Sequence, residues 1–207
     1  MKKGYFISFE GMDGSGKSTQ IARLKSYLEK RGFQVVLTRE PGGTQLGEKI
    51  RRIILDPVNR DMSDLAEAML YAASRAQHVD ELIKPAVDSG KIVICDRFLD
   101  SSIAYQGYGR GLGDCVDVIN RYAVGDYIPD LTFLMKVKPH VSTERIKGRR
   151  KDRIEMEADS FHQAVYDGYE RLQRKYPQRI VAIDAARTID QIQQEIIRHM
   201  EELTGHQ

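Results

Sequence analysis

The sequence predicts an α/β protein built on one five-stranded parallel sheet with helices on both faces. Three observations lead to this prediction. Short apolar segments rich in β-branched residues alternate with longer segments whose apolar residues recur at helical spacing, so each candidate strand is followed by a candidate helix. No internal repeat, low-complexity tract or linker interrupts the alternation. The length of 207 residues suits a single domain spanning 1–207.

Residues that start or stop regular structure set the bounds of these elements. Gly32 ends the first helix, Ser63 has the side chain of an N-cap, and Pro139 suits a first helical turn. Strands are predicted at residues 5–9, 34–38, 91–95, 131–137 and 179–183, and helices at 17–32, 46–55, 63–87, 114–124, from 139 onward, 161–176 and 189–203. The stretch 98–113 carries Tyr105 and several glycines and is assigned to neither class.

The turn between the first strand and the first helix matches the phosphate-binding pattern G-x-x-x-x-G-K-[ST] over residues 11–18. Its glycines let backbone N–H groups surround an anion, Lys17 reaches the β- and γ-phosphates, and the Ser18 hydroxyl can ligate Mg²⁺. The helix that follows adds its positive N-terminal end. The alternative, a glycine-rich turn without a ligand, is disfavoured because a strand precedes the motif and a helix follows it. The sequence therefore predicts a P-loop NTPase fold.

Composition excludes several other classes of protein. A net charge of +2 with 30% charged residues describes an ordinary surface, so nucleic acid is not an implied partner. Cys95 and Cys115 form neither a metal-spaced cluster nor a disulfide framework, which suits the reducing cytoplasm. The N-terminal segment does not read as a signal peptide, and no segment approaches the roughly 18 apolar residues that cross a membrane.

Polar residues follow the second and third strands, where ligands bind in open α/β sheets. Arg39 and Glu40 end the second strand, and a loop ion pair is the alternative to substrate contact. Asp96 and Arg97 end the third strand. The aspartate can hold Mg²⁺ directly or through water, and the arginine can bridge phosphates, with a structural ion pair as the alternative.

Two further groups of residues lie on predicted helices. Tyr71 and Arg75 are spaced i, i+4, which suits stacking on a base beside a phosphate, although from the spacing alone core packing of the tyrosine and solvent exposure of the arginine explain them better. Arg51 or Arg52 could point at the same site. A basic run at residues 145–153 is either a solvated helix face or a mobile lid, near 140–155, that brings positive charge to the reaction.

Three longer stretches together resemble thymidylate kinases, and the resemblance extends over nearly the whole chain. They are Phe-Glu-Gly-Met-Asp-Gly-Ser-Gly-Lys-Ser-Thr at 9–19, Thr-Arg-Glu-Pro-Gly-Gly-Thr at 38–44, and Asp-Arg-Phe-Leu-Asp-Ser-Ser-Ile-Ala-Tyr-Gln-Gly at 96–107. Pro-Asp-Leu-Thr at 129–132, Asp-Arg-Ile-Glu at 152–155 and Tyr-Pro at 176–177 agree with them. The resemblance implies a cytoplasmic homodimer that transfers the ATP γ-phosphoryl group to thymidine monophosphate, with Mg²⁺, in dTTP synthesis for DNA replication.

The resemblance also implies a role for individual residues. The ATP-binding set is Gly11, Met12, Asp13, Gly14, Ser15, Gly16, Lys17, Ser18 and Thr19, and the metal-binding set is Ser18 and Asp96. The catalytic set is Asp13, Lys17, Arg97 and the lid residues Arg149, Arg150 and Arg153. The substrate-binding set is Asp13, Glu40, Arg51, Tyr71, Arg75, Arg97, Ser102, Tyr105 and Gln106. In this set Asp13 lies near the 3′-hydroxyl and acceptor phosphate, and Arg51, Arg75 and Arg97 bind the monophosphate. Tyr71 stacks on thymine, Ser102 and Gln106 lie at the base edge, and Tyr105 lies against the sugar 2′ position.

The lid arginines are expected to act because the variable positions of the phosphate loop, 12–15, contain no cation. Two positions depart from the family pattern: Lys136 stands where Leu-Asp-Val would place an aspartate, and a common arginine is replaced near Tyr166. Another P-loop nucleotide kinase or a deoxynucleoside kinase is the alternative. An uncharged nucleoside acceptor would leave several arginines unexplained, and a GTPase would need an Asn/Thr-Lys-x-Asp segment that the sequence lacks.

Overall fold

The computed structural model describes residues 4–145, 147–148 and 151–205. Five parallel strands form one sheet in the order β2-β3-β1-β4-β5. Their bounds are β1 Tyr5–Glu10, β2 Val35–Arg39, β3 Ile92–Asp96, β4 Leu131–Lys136 and β5 Ile180–Asp184. All five predicted strands are present within one residue at most ends, and the predicted α/β class is confirmed.

The helices follow the strands in alternation, as the sequence predicts. Their bounds are α1 Lys17–Lys30, α2 Gln45–Leu55, α3 Asp64–His78, α4 Lys84–Asp88, α5 Leu99–Ser102, α6 Asp114–Val124, α7 Pro139–Arg145, α8 Asp159–Lys175 and α9 Ile189–Thr204. The Ser63 hydroxyl accepts the backbone N–H of Ala66, so the predicted N-cap of α3 is confirmed. No helix in the described ranges is long and apolar enough to cross a membrane.

Helices α1 and α9 cover one face of the sheet. Their apolar residues, among them Leu24 and Ile196, pack on a row of strand side chains that includes Ile7, Phe9 and Phe133, all of them fully buried. Because side chains alternate along a strand, the neighbouring residues of β1 point to the opposite face. Helix α1 is therefore fixed on the sheet at the point where the phosphate loop leaves β1.

Two apolar clusters cover the opposite face. One joins Phe6 and Val93 to the helical segment that ends in α4, and the other joins Leu134 and Ile180 to α8. The polar Ser8 lies between them on β1, where its hydroxyl shares a hydrogen bond of 2.8 Å with that of Thr132. This division leaves room for charged side chains beneath the carboxyl ends of the strands.

The long helix predicted at 63–87 is continuous but not regular. Helix α3 passes into a single π-helical turn, Val79–Ile83, before α4 begins. Pro85 explains the change, because it has no N–H to donate and its ring would clash with the carbonyl four residues earlier in a regular α-helix.

The stretch 98–113, left unassigned from its glycines, is largely helical. Helix α5 continues as a π-helical segment, Ile103–Gly109, which we call the π segment. Gly109 permits close packing on α8: a Cβ there would lie 2.7 Å from Phe161 Cε2 and 2.9 Å from Val165 Cγ2. Gly109 thus marks a helix contact, whereas Gly111 and Gly113 have positive φ and follow the π segment, a distinction that composition alone does not make.

We expect Gly109→Ala to lower the free energy of unfolding by about 1–3 kcal/mol, because the added methyl overlaps two core side chains of α8. Gly107→Ala is the matched control, since its Cβ would meet the nearest atoms only at 3.6 Å. It should be neutral or slightly stabilising. Urea unfolding of both variants measures the difference, and equal stabilities would contradict the close packing described here.

Candidate active site

A cavity of about 440 Å³ opens at the carboxyl edge of the sheet. It lies beside the central strand β1, which pairs with β3 on one side and β4 on the other. The strand order reverses here, because β2 and β3 lie on one side of β1 and β4 and β5 on the other. Of the residues predicted to form the site, those that line it are Asp13, Gly14, Gly16, Lys17, Ser18, Thr19, Glu40, Arg51, Tyr71, Arg75, Asp96, Arg97, Tyr105 and Gln106. The structure thus brings together residues from five separate segments of the chain.

The phosphate loop holds Lys17 in a buried position at the start of α1. Gly11 has a φ of 126° and approaches β4 so closely that a Cβ would lie 2.4 Å from the Met135 carbonyl oxygen. The Lys17 ammonium donates to the carbonyl oxygens of Gly11 and Met12, both at 3.0 Å. Burial, and then the like charge of Arg97, lower the pKa of Lys17 to about 8.

Arg97 is the centre of the opposite wall. Its φ of 69° is the only positive value among the described non-glycine residues, and its N–H donates to the Phe9 carbonyl at 2.9 Å. Its guanidinium donates to Asp13 Oδ1 at 3.0 Å, and its carbon lies 5.2 Å from the centre of the Tyr105 ring. A strained backbone held in this manner is typical of functional positions. Arg97 and Asp13 therefore meet in the cavity.

Glu10, which the sequence did not single out, is linked to Arg97 through the Ser101 hydroxyl. Glu10 accepts the Phe98 N–H at 2.8 Å and the Ser101 hydroxyl at 2.5 Å. Arg97 in turn donates to Ser101 Oγ at 3.2 Å and to Tyr169 OH at 3.3 Å. Burial, and then the negative charge of Asp100, raise the pKa of Glu10 to about 7. In the sequence, Glu10 follows the apolar strand residues 5–9, and the strand pattern gives no sign that this acid is buried.

Arg75 is buried, with 1% of its surface exposed, and its two terminal nitrogens are paired, whereas its Nε has no hydrogen-bond partner among the described residues. It pairs with Glu40 at 2.6 Å and donates to Ser102 Oγ at 2.9 Å and to the Phe98 carbonyl at 3.1 Å. Asn120 on α6 accepts a further hydrogen bond from it. Ser102 does not line the cavity, so in this structure it contacts Arg75 and not the space expected for a base edge.

Arg51 and Tyr71 lie on the side of the cavity formed by α2 and α3. Arg51 donates to the Pro41 carbonyl at 2.9 Å, whereas its neighbour Arg52 is exposed and does not line the cavity. Tyr71 is half-buried beside Leu55 and Ile154, two apolar lining residues that the sequence analysis did not select. This wall offers the Tyr71 ring, apolar surface and the Arg51 guanidinium, a combination that suits a nucleobase and its phosphate.

Asp96 and Ser18 both line the cavity. Asp96 Oδ1 is buried and has no hydrogen-bond partner among the described residues. Mg²⁺ is usually held by one or two carboxylates together with phosphate oxygens and water. An unpaired carboxylate oxygen beside an exposed hydroxyl fits that pattern, so the residues present suit the ion.

The structure gives Arg153 a different place from the predicted lid position over the phosphates. Its guanidinium is buried and donates to the Ile54 carbonyl at 2.8 Å and to Glu67 Oε2 at 2.6 Å. Asp152 and Ile154 line the cavity, but Arg153 does not. In this structure the side chain is committed to α2 and α3, and its catalytic assignment stays a prediction. Arg149 and Arg150 lie outside the described residues.

Arg145, on α7, is the cation that the structure brings to the phosphate loop. It donates to the Gly14 carbonyl at 3.2 Å and to the Ala185 carbonyl at 3.3 Å, and it lines the cavity. The Ser142 hydroxyl fastens the same helix to the Asp13 carbonyl. The sequence showed Arg145 only as the first member of a basic run. Lys136, the departure on β4, pairs with Glu170 of α8 at 2.5 Å and lies outside the cavity lining.

A phosphate loop facing an arginine-rich wall across one cavity defines a nucleotide-binding phosphotransferase of the P-loop class. A family model described as thymidylate kinase matches residues 9–196. The chain is 48% identical over 194 residues to the thymidylate kinase of Geobacillus sp. (strain WCH70), with 92% of each chain covered. It is 47% identical to that of Lactobacillus acidophilus, with 97% of this chain and 95% of the relative covered.

A solved structure agrees with these sequence relatives. The crystal structure of thymidylate kinase from Ehrlichia chaffeensis matches with a TM-score of 0.78 at 37% identity, covering 96% of this chain and 98% of that one. This chain therefore belongs to the thymidylate kinase family. The resemblance seen in the three sequence stretches and the predicted P-loop NTPase fold are both confirmed.

We expect kcat/KM for ATP to fall as the pH rises above about 8, approaching tenfold per pH unit. The reason is that free Lys17 loses its charge through its lowered pKa of about 8, while phosphate binds the charged form. Initial rates at subsaturating ATP across the alkaline range measure this limb. Glu10, with a pKa raised to about 7, titrates on the acid side and does not obscure it.

Lys17→Arg is the control for this pH profile, because a guanidinium stays charged throughout the alkaline range. Its activity will be lower, but its alkaline decline should disappear. A wild-type profile that stays flat well beyond pH 8 would show that the Lys17 charge does not limit ATP capture.

Proposed function

We propose that the cavity transfers the γ-phosphoryl group of ATP to thymidine monophosphate, giving ADP and thymidine diphosphate. One observation carries the proposal: the phosphate loop and a separate set of arginines face each other across a single cavity. Two anionic ligands can then meet with their phosphates between Lys17 and Arg97. The names of the relatives supply the identity of the acceptor.

The proposed acceptor site is the wall that holds Arg51, Tyr71 and Arg97. Tyr71 stacks on thymine beside the apolar side chains of Leu55 and Ile154, and Arg51 and Arg97 bind the monophosphate. Arg75 keeps its proposed place beside them, held by Glu40 and Ser102. Tyr105, fixed under the Arg97 guanidinium, crowds the sugar 2′ position. A charged acceptor explains why so many cations surround this half of the cavity.

The proposed donor site is the phosphate loop, residues 11–19, with Lys17 on the transferred phosphoryl group and Asp13 near the acceptor. Mg²⁺, held by Asp96 and the Ser18 hydroxyl, supplies neutralising charge to the phosphates when bound. Arg145 lies against Gly14 of this loop, and we include it among the donor-site residues. Arg149 and Arg150 remain proposed lid residues that close over the phosphates.

We expect purified protein to phosphorylate thymidine monophosphate in the presence of ATP and Mg²⁺, and thymidine itself far more slowly, since only the monophosphate has a phosphate that the arginines can bind.

Arg51→Met should raise KM for thymidine monophosphate by about tenfold or more and leave KM for ATP nearly unchanged, because a hydrogen bond to a charged group contributes about 1.5–3 kcal/mol. A coupled ADP-release assay measures both constants.

Arg52→Met is the matched control, because Arg52 is the adjacent residue of the same helix but faces solvent. It should keep both KM values. Equal use of thymidine and its monophosphate would favour the deoxynucleoside kinase alternative, and full activity in excess EDTA would exclude the proposed Mg²⁺ site.

We also propose a homodimer, formed through the exposed apolar surfaces of α3 and α6. These helices pack together, and each presents large apolar side chains at i, i+4 spacing: Leu65 and Met69 on α3, and Val118 and Tyr122 on α6. Met69 is 54% exposed and Tyr122 87% exposed, which is costly for a monomer.

We propose a cytoplasmic location as well, which free thiols at Cys95 and Cys115 support.

We expect Met69→Glu to convert the protein from dimer to monomer, because a buried carboxylate without a partner opposes association. Light scattering after size-exclusion chromatography measures the mass. Ile189→Glu is the control, since Ile189 is similarly exposed but begins α9 on the opposite face of the sheet. A monomeric wild-type protein, or a dimer in both variants, would contradict this interface.

A further inference from the structure

A buried carboxylate on α3, Glu67, joins three segments of the chain and has no part in the proposed reaction. None of its surface is exposed. Its Oε1 accepts from Gln106 Nε2 at 2.8 Å and from Arg110 Nε at 3.2 Å. Its Oε2 accepts from Arg110 Nη2 at 2.9 Å and from Arg153 Nη2 at 2.6 Å. Both oxygens are thus fully used, one toward Gln106 and the other toward Arg153.

The contact with Gln106 determines which way that amide faces. An ionised carboxylate only accepts hydrogen bonds, whereas an amide has a donor end and an acceptor end. If the Gln106 amide were reversed, its oxygen would meet the Glu67 carboxylate oxygen, and two acceptors repel each other. Glu67 therefore holds the Gln106 NH₂ toward itself and its Oε1 away.

The oxygen that faces away from Glu67 has no partner in the described part of the protein. Gln106 lines the cavity, and its Oε1 is buried with no hydrogen-bond partner among the described residues. An unpaired buried acceptor is costly, and the cost is recovered when a ligand donates to it. The group that suits this position is an N–H donor on an otherwise apolar, planar ring.

We propose that Glu67 is a positioning residue for base selection: by fixing the Gln106 amide, it makes the cavity accept a pyrimidine whose N3 carries hydrogen and reject one whose N3 is an acceptor. Thymine and uracil belong to the first class and cytosine to the second. The inference rests on the proposed function, which places Gln106 at the base edge. Glu67 itself contacts no substrate and acts only through Gln106.

The surroundings of Glu67 keep it in place. Arg110 also pairs with Glu157 at 2.7 Å, and its guanidinium carbon lies 4.7 Å from the centre of the Phe161 ring. Arg153 is anchored to the Ile54 carbonyl as well as to Glu67. Glu67 thus pairs with two guanidinium groups, one of which, that of Arg110, is shared with Asp64 and Glu157. This arrangement explains Arg153 as part of base selection instead of phosphate binding.

The experiment compares kcat/KM for deoxythymidine and deoxycytidine monophosphates in four proteins: wild type, Glu67→Gln, Gln106→Met and the double variant. In Glu67→Gln the residue-67 amide can donate or accept, so the Gln106 amide can reverse and donate to cytosine N3. We expect the preference for thymidine monophosphate to fall about tenfold or more. Gln106→Met should lower it at least as much, and the double variant should add nothing further.

Asp100→Asn is the control for loss of a buried ion pair. Asp100 is also buried and pairs with Arg179 at 2.6 Å, and its side chain bonds to Arg179 and Thr132, not to Gln106. This variant should lose stability and keep the preference between the two monophosphates. If Glu67→Gln does not fold, Glu67→Asp keeps the negative charge for the two arginines and withdraws the carboxylate from Gln106, and it should lower the preference too.

The outcomes separate this inference from the proposed function. The inference is supported if the Glu67 substitution lowers the preference for thymidine monophosphate in the otherwise wild-type protein and causes no further loss in the Gln106→Met protein. A preference retained in them while Gln106→Met loses it would overturn the role of Glu67 and leave the proposed function intact. Additive losses in the double variant would also overturn it, because Glu67 would then act independently of Gln106. Absence of thymidine monophosphate kinase activity in wild type would overturn the proposed function itself.

Discussion

The register between β1 and β3 is the constraint on which the site depends. Phe9 lies opposite Asp96 in this parallel pair, so the phosphate loop that follows β1 and the Asp-Arg pair that ends β3 leave the sheet at the same level. The Arg97 N–H then donates to the Phe9 carbonyl and bends the chain into positive φ. A slip of one residue would turn Arg97 to the opposite face of the sheet, away from the phosphates. Burial of Phe9 and Ile94 on one face excludes that slip.

Buried ion pairs then fix the side chains that the register brings together. Glu40 holds Arg75, and Glu67 holds Arg153, and each is within the protein with almost no exposed surface. Such pairs rarely contribute net stability, because desolvation offsets most of their attraction. Their contribution here is positional: each acid leaves its partner only one favourable direction. Arg75 is consequently held in one arrangement, in the wall of the cavity that we propose for the acceptor.

The sequence was sufficient for the strands, for the phosphate loop and for the wall containing Arg97, because each depends on a local pattern. It was insufficient where a contact joins distant residues. Arg153 belongs to a basic run, which suggested a lid, but its partner Glu67 lies 86 residues earlier in the chain. Glu67 itself occurs within an amphipathic helix, where an acid normally faces solvent. Helical periodicity alone does not show that two guanidinium groups from other segments cover it.

Lys17 shows how burial prepares the loop for phosphate. Its ammonium is nine-tenths buried and donates to two neutral carbonyl oxygens of its own loop, which hold it in place but compensate its charge poorly. A phosphate oxygen is a charged acceptor and forms a stronger hydrogen bond than a carbonyl. The exchange of carbonyl for phosphate therefore gains charge compensation with little movement of the side chain. Burial, and then the like charge of Arg97, lower the pKa of Lys17, and the negative charge of a bound phosphate would oppose both effects.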